Sequence, residues 1–215
     1  METSYIYEMR KPETEETGKL YPAIFLMHGM GSNEKDIMSL VSGLEKDAYI
    51  FGIRGSITQP PGFAYFTIEG FGKPHRSVYD ETVQNLEAFI DNALSTYAID
   101  QDKVFLGGFS QGAILSMTLG LTMGSKIKGI IVFSGYIPAF VVEEYSKKDV
   151  CDLHVFISHG QKDPVFPLAW GEANRDYFNR LGATVSYHAY PEGHTISLEN
   201  YHDFRAWLDQ QLLNK

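Results

Sequence analysis

Val104-Phe105-Leu106-Gly107-Gly108-Phe109-Ser110-Gln111-Gly112-Ala113-Ile114-Leu115 is an apolar run that bends on a Gly-x-Ser-x-Gly core and resumes as a second apolar run. Residues 104–109 have the length and residue types of a strand buried on both faces, and 112–123 those of a largely apolar helix. A serine between the two stands on a sharp strand-to-helix turn, where its hydroxyl projects and flanking side chains would clash. Glycine two positions to either side removes the obstructing Cβ atoms, and the helix that starts here points its first amides toward negative charge. The pattern alone is weak, since ordinary glycine and serine frequencies supply roughly 0.07 such matches in a chain of this length. A glycine-rich turn in any α/β protein is the competing reading. What favours a nucleophile turn is its place between strand and helix.

Outward from this turn the same alternation recurs. Strands are predicted at residues 5–7 (an opening edge strand), 21–28, 49–53, 127–133, 153–158 and 184–190. Helices are predicted after the N-cap residue Asn33, with Ile37, Leu40, Val41 and Leu44 on one face, then near 83–97, 168–181 and 198–213. Short β-rich runs alternating with longer helical ones define an α/β protein with a mostly parallel central sheet and helices on both faces. Residues 54–79 break the rhythm: glycines and prolines interleave there with Phe63, Tyr65, Phe66 and Phe71. A stretch that long and aromatic is expected to be functional. No repeat, low-complexity tract or linker interrupts the chain, so residues 1–215 read as a single domain.

Composition narrows the function. The 215 residues carry 18 basic and 27 acidic side chains, a net charge of −9 with neutral histidine. Nucleic-acid binding rests on Lys and Arg against phosphate, so that class is disfavoured. No apolar run approaches the roughly 18 residues of a spanning helix, so no stable membrane insertion is expected. The single cysteine, Cys151, rules out an intrachain disulfide and is read as a small buried hydrophobe. Residues 1–5 have neither the basic nor the apolar region of a signal peptide, and a cytoplasmic protein is expected.

A serine hydroxyl is a poor nucleophile without an adjacent base, itself oriented by a third group. With this elbow the chain order is Ser, then Asp or Glu, then His. Asp163 lies in His159-Gly160-Gln161-Lys162-Asp163-Pro164, directly after the strand expected to deliver the acid. His194 lies in Pro191-Glu192-Gly193-His194, after the last strand and before the last helix. Taken singly, Asp163 reads as an Asp-Pro turn former and His194 as a surface histidine; together with Ser110, in order and each after its own strand, they read as a triad. Asp152 precedes its strand, at the wrong end of the sheet, and Glu192 crowds the turn of His194. His28-Gly29-Met30-Gly31 closes the first buried strand and resembles the oxyanion turn of this arrangement, assigning the two N–H donors to Met30 and Gln111. Phe63, Tyr65 and Phe66 are the candidate substrate contacts. No His-x-His, His-Glu-x-x-His or nucleotide-binding glycine pattern occurs, so neither metal nor cofactor is expected. His75 and His188 read as surface or structural residues.

These pieces together resemble the phospholipase/carboxylesterase family, which includes the acyl-protein thioesterases. The likeness is carried by His28-Gly29-Met30-Gly31, Gly108-Phe109-Ser110-Gln111-Gly112-Ala113, His159-Gly160-Gln161-Lys162-Asp163-Pro164-Val165 and Gly193-His194, in the family's order across almost the whole chain. Met30 and Ala113 stand where members often have Leu and Gly. The resemblance implies an α/β-hydrolase fold without a large cap, and a serine carboxylesterase acting through an acyl-enzyme on small-molecule esters, short acyl or aryl. Acyl-protein thioesterase or lysophospholipase activity is the alternative within the family. A non-catalytic ligand-binding protein on the same scaffold is the alternative of another class. The aromatic residues near 63–71 could serve a homodimer as easily as a substrate.

Overall fold

Period-two alternation in the central strands decides how the molecule is layered. In a computed structural model describing residues 5–44 and 46–213, the strands in chain order are β1 (Tyr7–Arg10), β2 (Tyr21–Met27), β3 (Tyr49–Ile53), β4 (Ile57–Gln59), β5 (Gly62–Ala64), β6 (Ile68–Gly70), β7 (Lys73–Pro74), β8 (Ile99–Phe109), β9 (Gly129–Phe133), β10 (His154–Gly160) and β11 (Thr184–Tyr190). The helices are α1 (Glu34–Met38), α2 (Arg76–Thr96), α3 (Gln111–Met123), α4 (Ala139–Glu144), α5 (Leu168–Arg180) and α6 (Leu198–Leu213). Seven strands form one sheet in the order β1-β3-β2-β8-β9-β10-β11. Only β1 runs antiparallel, against β3; the other neighbours pair in parallel.

Successive residues of these strands go to opposite faces. Ala23, Phe25 and Met27 of β2, Val104 and Leu106 of β8, and Val155 and Ile157 of β10 join one core, where α2, α3 and α5 pack. Ile24 and Leu26, Phe105, and Phe156 join the other, under Ile37, Met38, Phe204 and Leu208 of α1 and α6. Helix α3 is buried along nearly its whole length, as its uniformly apolar sequence requires. Asn33 caps α1, its side chain accepting from the amides of Lys35 and Asp36.

Several boundaries differ from expectation. The opening strand starts at Tyr7 and runs to Arg10, because its register is set by pairing Tyr7 with Ile53 and Arg10 with Ile50. Helix α1 ends at Met38 and tightens into a 3₁₀ turn, so Leu40 and Leu44 are only partly buried. Residues 54–79 are two small hairpins, β4-β5 and β6-β7, followed by the first turn of α2. Cys151 is exposed rather than buried, because it sits in the turn before β10, where Asp149 accepts from both its amide and its thiol. Residues 1–4, over which the absence of a leader was read, lie outside the described residues.

The sheet order reverses between β2 and β8: one neighbouring connection leads out to β3, the other to β9. Loops leaving the carboxyl ends of such a pair diverge and open a crevice. His28–Met30 and Ser110 leave those two ends.

Candidate active site

Ser110 follows β8 with φ 55° and ψ −113°, a left-handed conformation rarely taken by a residue with a side chain. The turn closes because the backbone passes too near itself for any Cβ. At Gly108 a Cβ would lie 2.3 Å from the carbonyl carbon of Gly112, and at Gly112 it would lie 1.9 Å from the Met27 oxygen. Main-chain bonds lock the bend: Ser110 N–H donates to Phe133 O (3.0 Å), and Gly112 N–H to His28 O (3.2 Å).

The turn after β2 is held from three sides. His28 is fully buried, its Nε2 accepting from Gly55 N–H (3.0 Å) and its Nδ1 carrying the hydrogen toward Gly29 O (2.7 Å). Burial holds this imidazole below its ordinary pKa, so it serves as a neutral clamp. Tyr65 packs its ring on His28 and receives the His28 N–H on its hydroxyl oxygen (3.2 Å). Gly31 N–H donates to Phe63 O (2.8 Å). Among the described residues, no acceptor takes the N–H of Met30 or of Gln111.

Asp163 and His194 come together at the ends of β10 and β11. His194 Nδ1 is 2.7 Å from Asp163 Oδ2, and the Asp163 side chain has no solvent exposure. The other oxygen, Oδ1, accepts from Val165 N–H (2.8 Å) and Phe166 N–H (2.9 Å). Burial pushes this carboxyl up, but the His194 hydrogen bond and the two amides outweigh it, and the net shift is below the usual value. The ring of Phe109, the residue before Ser110, packs 4.7 Å from His194 between centroids, so elbow and histidine share one wall. Glu192 enters the turn through its carbonyl, which accepts from Lys162 N–H, and Asp152 lies before β10, at its far end.

The aromatic candidates separate. Phe63 is partly exposed, with the Arg54 guanidinium over its ring. Tyr65 and Phe66 are buried, at 0% and 1% exposure, and so offer no side-chain surface to a substrate. Their main chains instead grip Gln111: its Oε1 accepts from Tyr65 N–H (2.9 Å) and its Nε2 donates to Phe66 O (2.7 Å). That brace went unread in the sequence, because a glutamine inside the motif reads only as its variable position.

A second aromatic group joins Phe71, noted within residues 54–79, to rings from elsewhere in the chain. From His194 outward run Phe166, edge-on at 5.2 Å, then Tyr136, Trp170 and the exposed Phe71, each ring in contact with the next. Phe166 and Trp170 are close in sequence, and Tyr136 and Phe71 come from two other stretches, so no local pattern brings the four rings together. His75 and His188, expected as surface or structural residues, both have local partners. His75 bonds Thr67 Oγ1, and His188 stacks on Phe156 and bonds Ser186 Oγ. Among the described residues, no cluster of three or more His, Cys, Asp or Glu is spaced to hold a metal ion. Nor is any helix there long and apolar enough to cross a membrane.

The model of the phospholipase/carboxylesterase family matches residues 11–212. MhqD of Bacillus subtilis is 28% identical over 203 residues, spanning 92% of this chain and 98% of that protein. Acyl-protein thioesterase 1 of Debaryomyces hansenii is 27% identical over 155 residues, or 69% of this chain and 67% of that one. Among solved structures, a Bacillus cereus carboxylesterase superposes with a TM-score of 0.85 at 22% identity, covering 97% of this chain and 95% of that one. At that identity the likeness is one of fold: the mostly parallel, doubly covered sheet of the α/β-hydrolases, without a large cap.

Proposed function

Because the chain belongs to the phospholipase/carboxylesterase family, and is therefore a hydrolase of the esterase and thioesterase kind, we propose that it is a single-domain, cytoplasmic serine carboxylesterase. Ser110 is the nucleophile, His194 the base and Asp163 the acid. The observation that carries this reading is the 2.7 Å bond between His194 Nδ1 and the fully sheltered Asp163 carboxylate, with the ring of Phe109, the residue before Ser110, packed on the same imidazole. With Nδ1–H committed to Asp163, Nε2 is left with the lone pair that a general base needs.

His194 Nε2 takes the Ser110 proton as Oγ bonds to the ester carbonyl carbon. The carbonyl oxygen becomes anionic, and the free N–H groups of Met30 and Gln111 are its donors, each worth about 2.7–4 kcal/mol of barrier. Collapse breaks the carbon–oxygen bond to the alcohol, which leaves with the proton from His194. Water then repeats the sequence on the acyl-enzyme, and Ser110 is regenerated. Asp163 holds the tautomer and faces the imidazolium formed in each half-reaction.

The ring series from Phe166 to Phe71 supports a small planar or short apolar group beside His194, since aromatic faces stack on such groups. Phe63 borders the turn on the other side. Ser110→Ala is expected to lower turnover of p-nitrophenyl acetate and butyrate by roughly 10⁴-fold or more and to abolish labelling by a fluorophosphonate. Turnover equal to wild type overturns the assignment. Failure of the wild-type chain itself to label would point instead to a ligand-binding protein on the same scaffold. The acyl-protein thioesterases among the relatives make a longer acyl thioester the second substrate reading. Rates across p-nitrophenyl esters and acyl-CoA of increasing chain length separate the two.

A further inference from the structure

We propose that His159 is a positioning residue of this active site, holding the turn at 163–166 in register with His194; this rests on the hydrolytic reading above. His159 lies near the end of β10 and its side chain has no solvent exposure. Its Nε2 is 3.0 Å from the carbonyl oxygen of Phe166, which can only accept, so Nε2 carries the hydrogen and donates it. Phe166 is thereby tied at both peptide groups: its N–H donates to Asp163 Oδ1 and its carbonyl accepts from His159. The ring of the same residue stands edge-on to His194, at 5.2 Å and 90°. One residue thus joins acid, base and His159.

Two further details separate His159 from an ordinary core histidine. Its Nε2 is 3.7 Å from Asp163 Oδ2, too far for a hydrogen bond, yet placed so that the positive end of the N–H dipole lies near the carboxylate. Its Nδ1 is buried without a partner, although buried polar atoms are normally paired. Gly171 of α5 presses on that side, where a Cβ would come within 2.8 Å of Nδ1. The ring is therefore wedged against α5 with one nitrogen left unpaired, while the other holds the acid turn. Loss of that bond frees the Phe166 peptide to rotate, and both Asp163 Oδ1 and the wall beside His194 lose their anchor.

The test compares kcat and KM on p-nitrophenyl butyrate for wild type, His159→Leu, His159→Gln and Ser110→Ala, with a melting temperature for each. Leu fills the space without a donor, whereas the Gln amide nitrogen reaches the place of Nε2. His159→Leu is expected to lower kcat roughly tenfold to hundredfold, the scale of a misplaced catalytic group, with KM within about twofold of wild type. His159→Gln is expected to restore kcat to within about threefold. If the Leu variant does not fold, His159→Asn replaces it, since its amide sits at the Nδ1 position and cannot reach the Phe166 carbonyl. Wild-type kcat in the Leu or Asn variant overturns the proposal, as does a loss in the Gln variant equal to that in Leu. Ser110→Ala separates the two levels: if it keeps turnover, the hydrolytic reading falls and this inference with it. If it is inactive while His159→Leu is normal, the positioning role alone falls.

Discussion

At the scale of single residues, two departures from ordinary chemistry mark the site. Ser110 takes a left-handed backbone that costs about 1–3 kcal/mol in a residue with a side chain, and it is sustained by bonds from both flanks of the turn. Asp163 is a carboxylate removed from water that nonetheless prefers its charged form, because His194 and two amides replace the lost solvent. Asp163→Asn is expected to cut kcat by roughly 10⁴-fold while KM changes little, since the wrong tautomer of His194 is then favoured. The same carboxylate ties stability to pH. Its folded pKa lies below the unfolded one, so its contribution is fully present above about pH 4 and fades as pH falls through the depressed value. Thermal melts of wild type and Asp163→Asn should therefore differ most near neutrality and converge in acid; a constant gap would contradict this. That Ser110, Asp163 and His194 follow one another, each after an apolar strand-like run, could be read along the chain. The inward turn of Tyr65 and Phe66 could not, because an aromatic residue in a glycine-rich stretch reads alike whether it fills a core or lines a cleft.

Between elements, the site depends on how the 54–79 stretch is fastened to the sheet. Gln111, at the first turn of α3, pairs with Tyr65 N–H and Phe66 O, and Thr82 of α2 reaches Tyr65 O at 2.9 Å. The hydroxyl of Tyr65 in turn meets His28 N–H, directly after β2, and Ile53 O, at the end of β3. The link between β5 and β6 is thereby pinned to α2, to α3 and to the ends of β2 and β3. Gln111→Met keeps the volume but leaves a buried N–H and a buried carbonyl unpaired, a loss of about 2–6 kcal/mol. Urea unfolding should report that loss, with a lower kcat/KM from the loosened turn; an unchanged midpoint would mean that other groups satisfy this loop. The hairpins β4-β5 and β6-β7 were invisible in the sequence because strands of two or three residues carry too few positions to show a period. Helices such as α2 and α6, each several turns long, repeat their apolar stripe often enough to be recognised.

Over the whole molecule, two cores on opposite faces of one sheet hold the ends of β2, β8, β10 and β11 at one rim. Phe204 of α6, at 1% exposure, packs edge-on against Phe133 of β9 in the core away from α3. Phe204→Ala is expected to cost about 3–5 kcal/mol of stability while leaving KM near wild type, since Phe166, Tyr136 and Trp170 belong to the other core. A large KM change with normal stability would show the two faces to be coupled. Local order in the sequence determined the α/β class, the elbow and the succession of Ser110, Asp163 and His194, because strand and helix periods and turn glycines act over a few residues. Tertiary structure alone decided which aromatic rings are buried, that Phe166, Tyr136, Trp170 and Phe71 form one wall, and that His159 meets Phe166. Those contacts join separate turns and helices across the rim of the sheet, and such distances are set by packing, which no local pattern records.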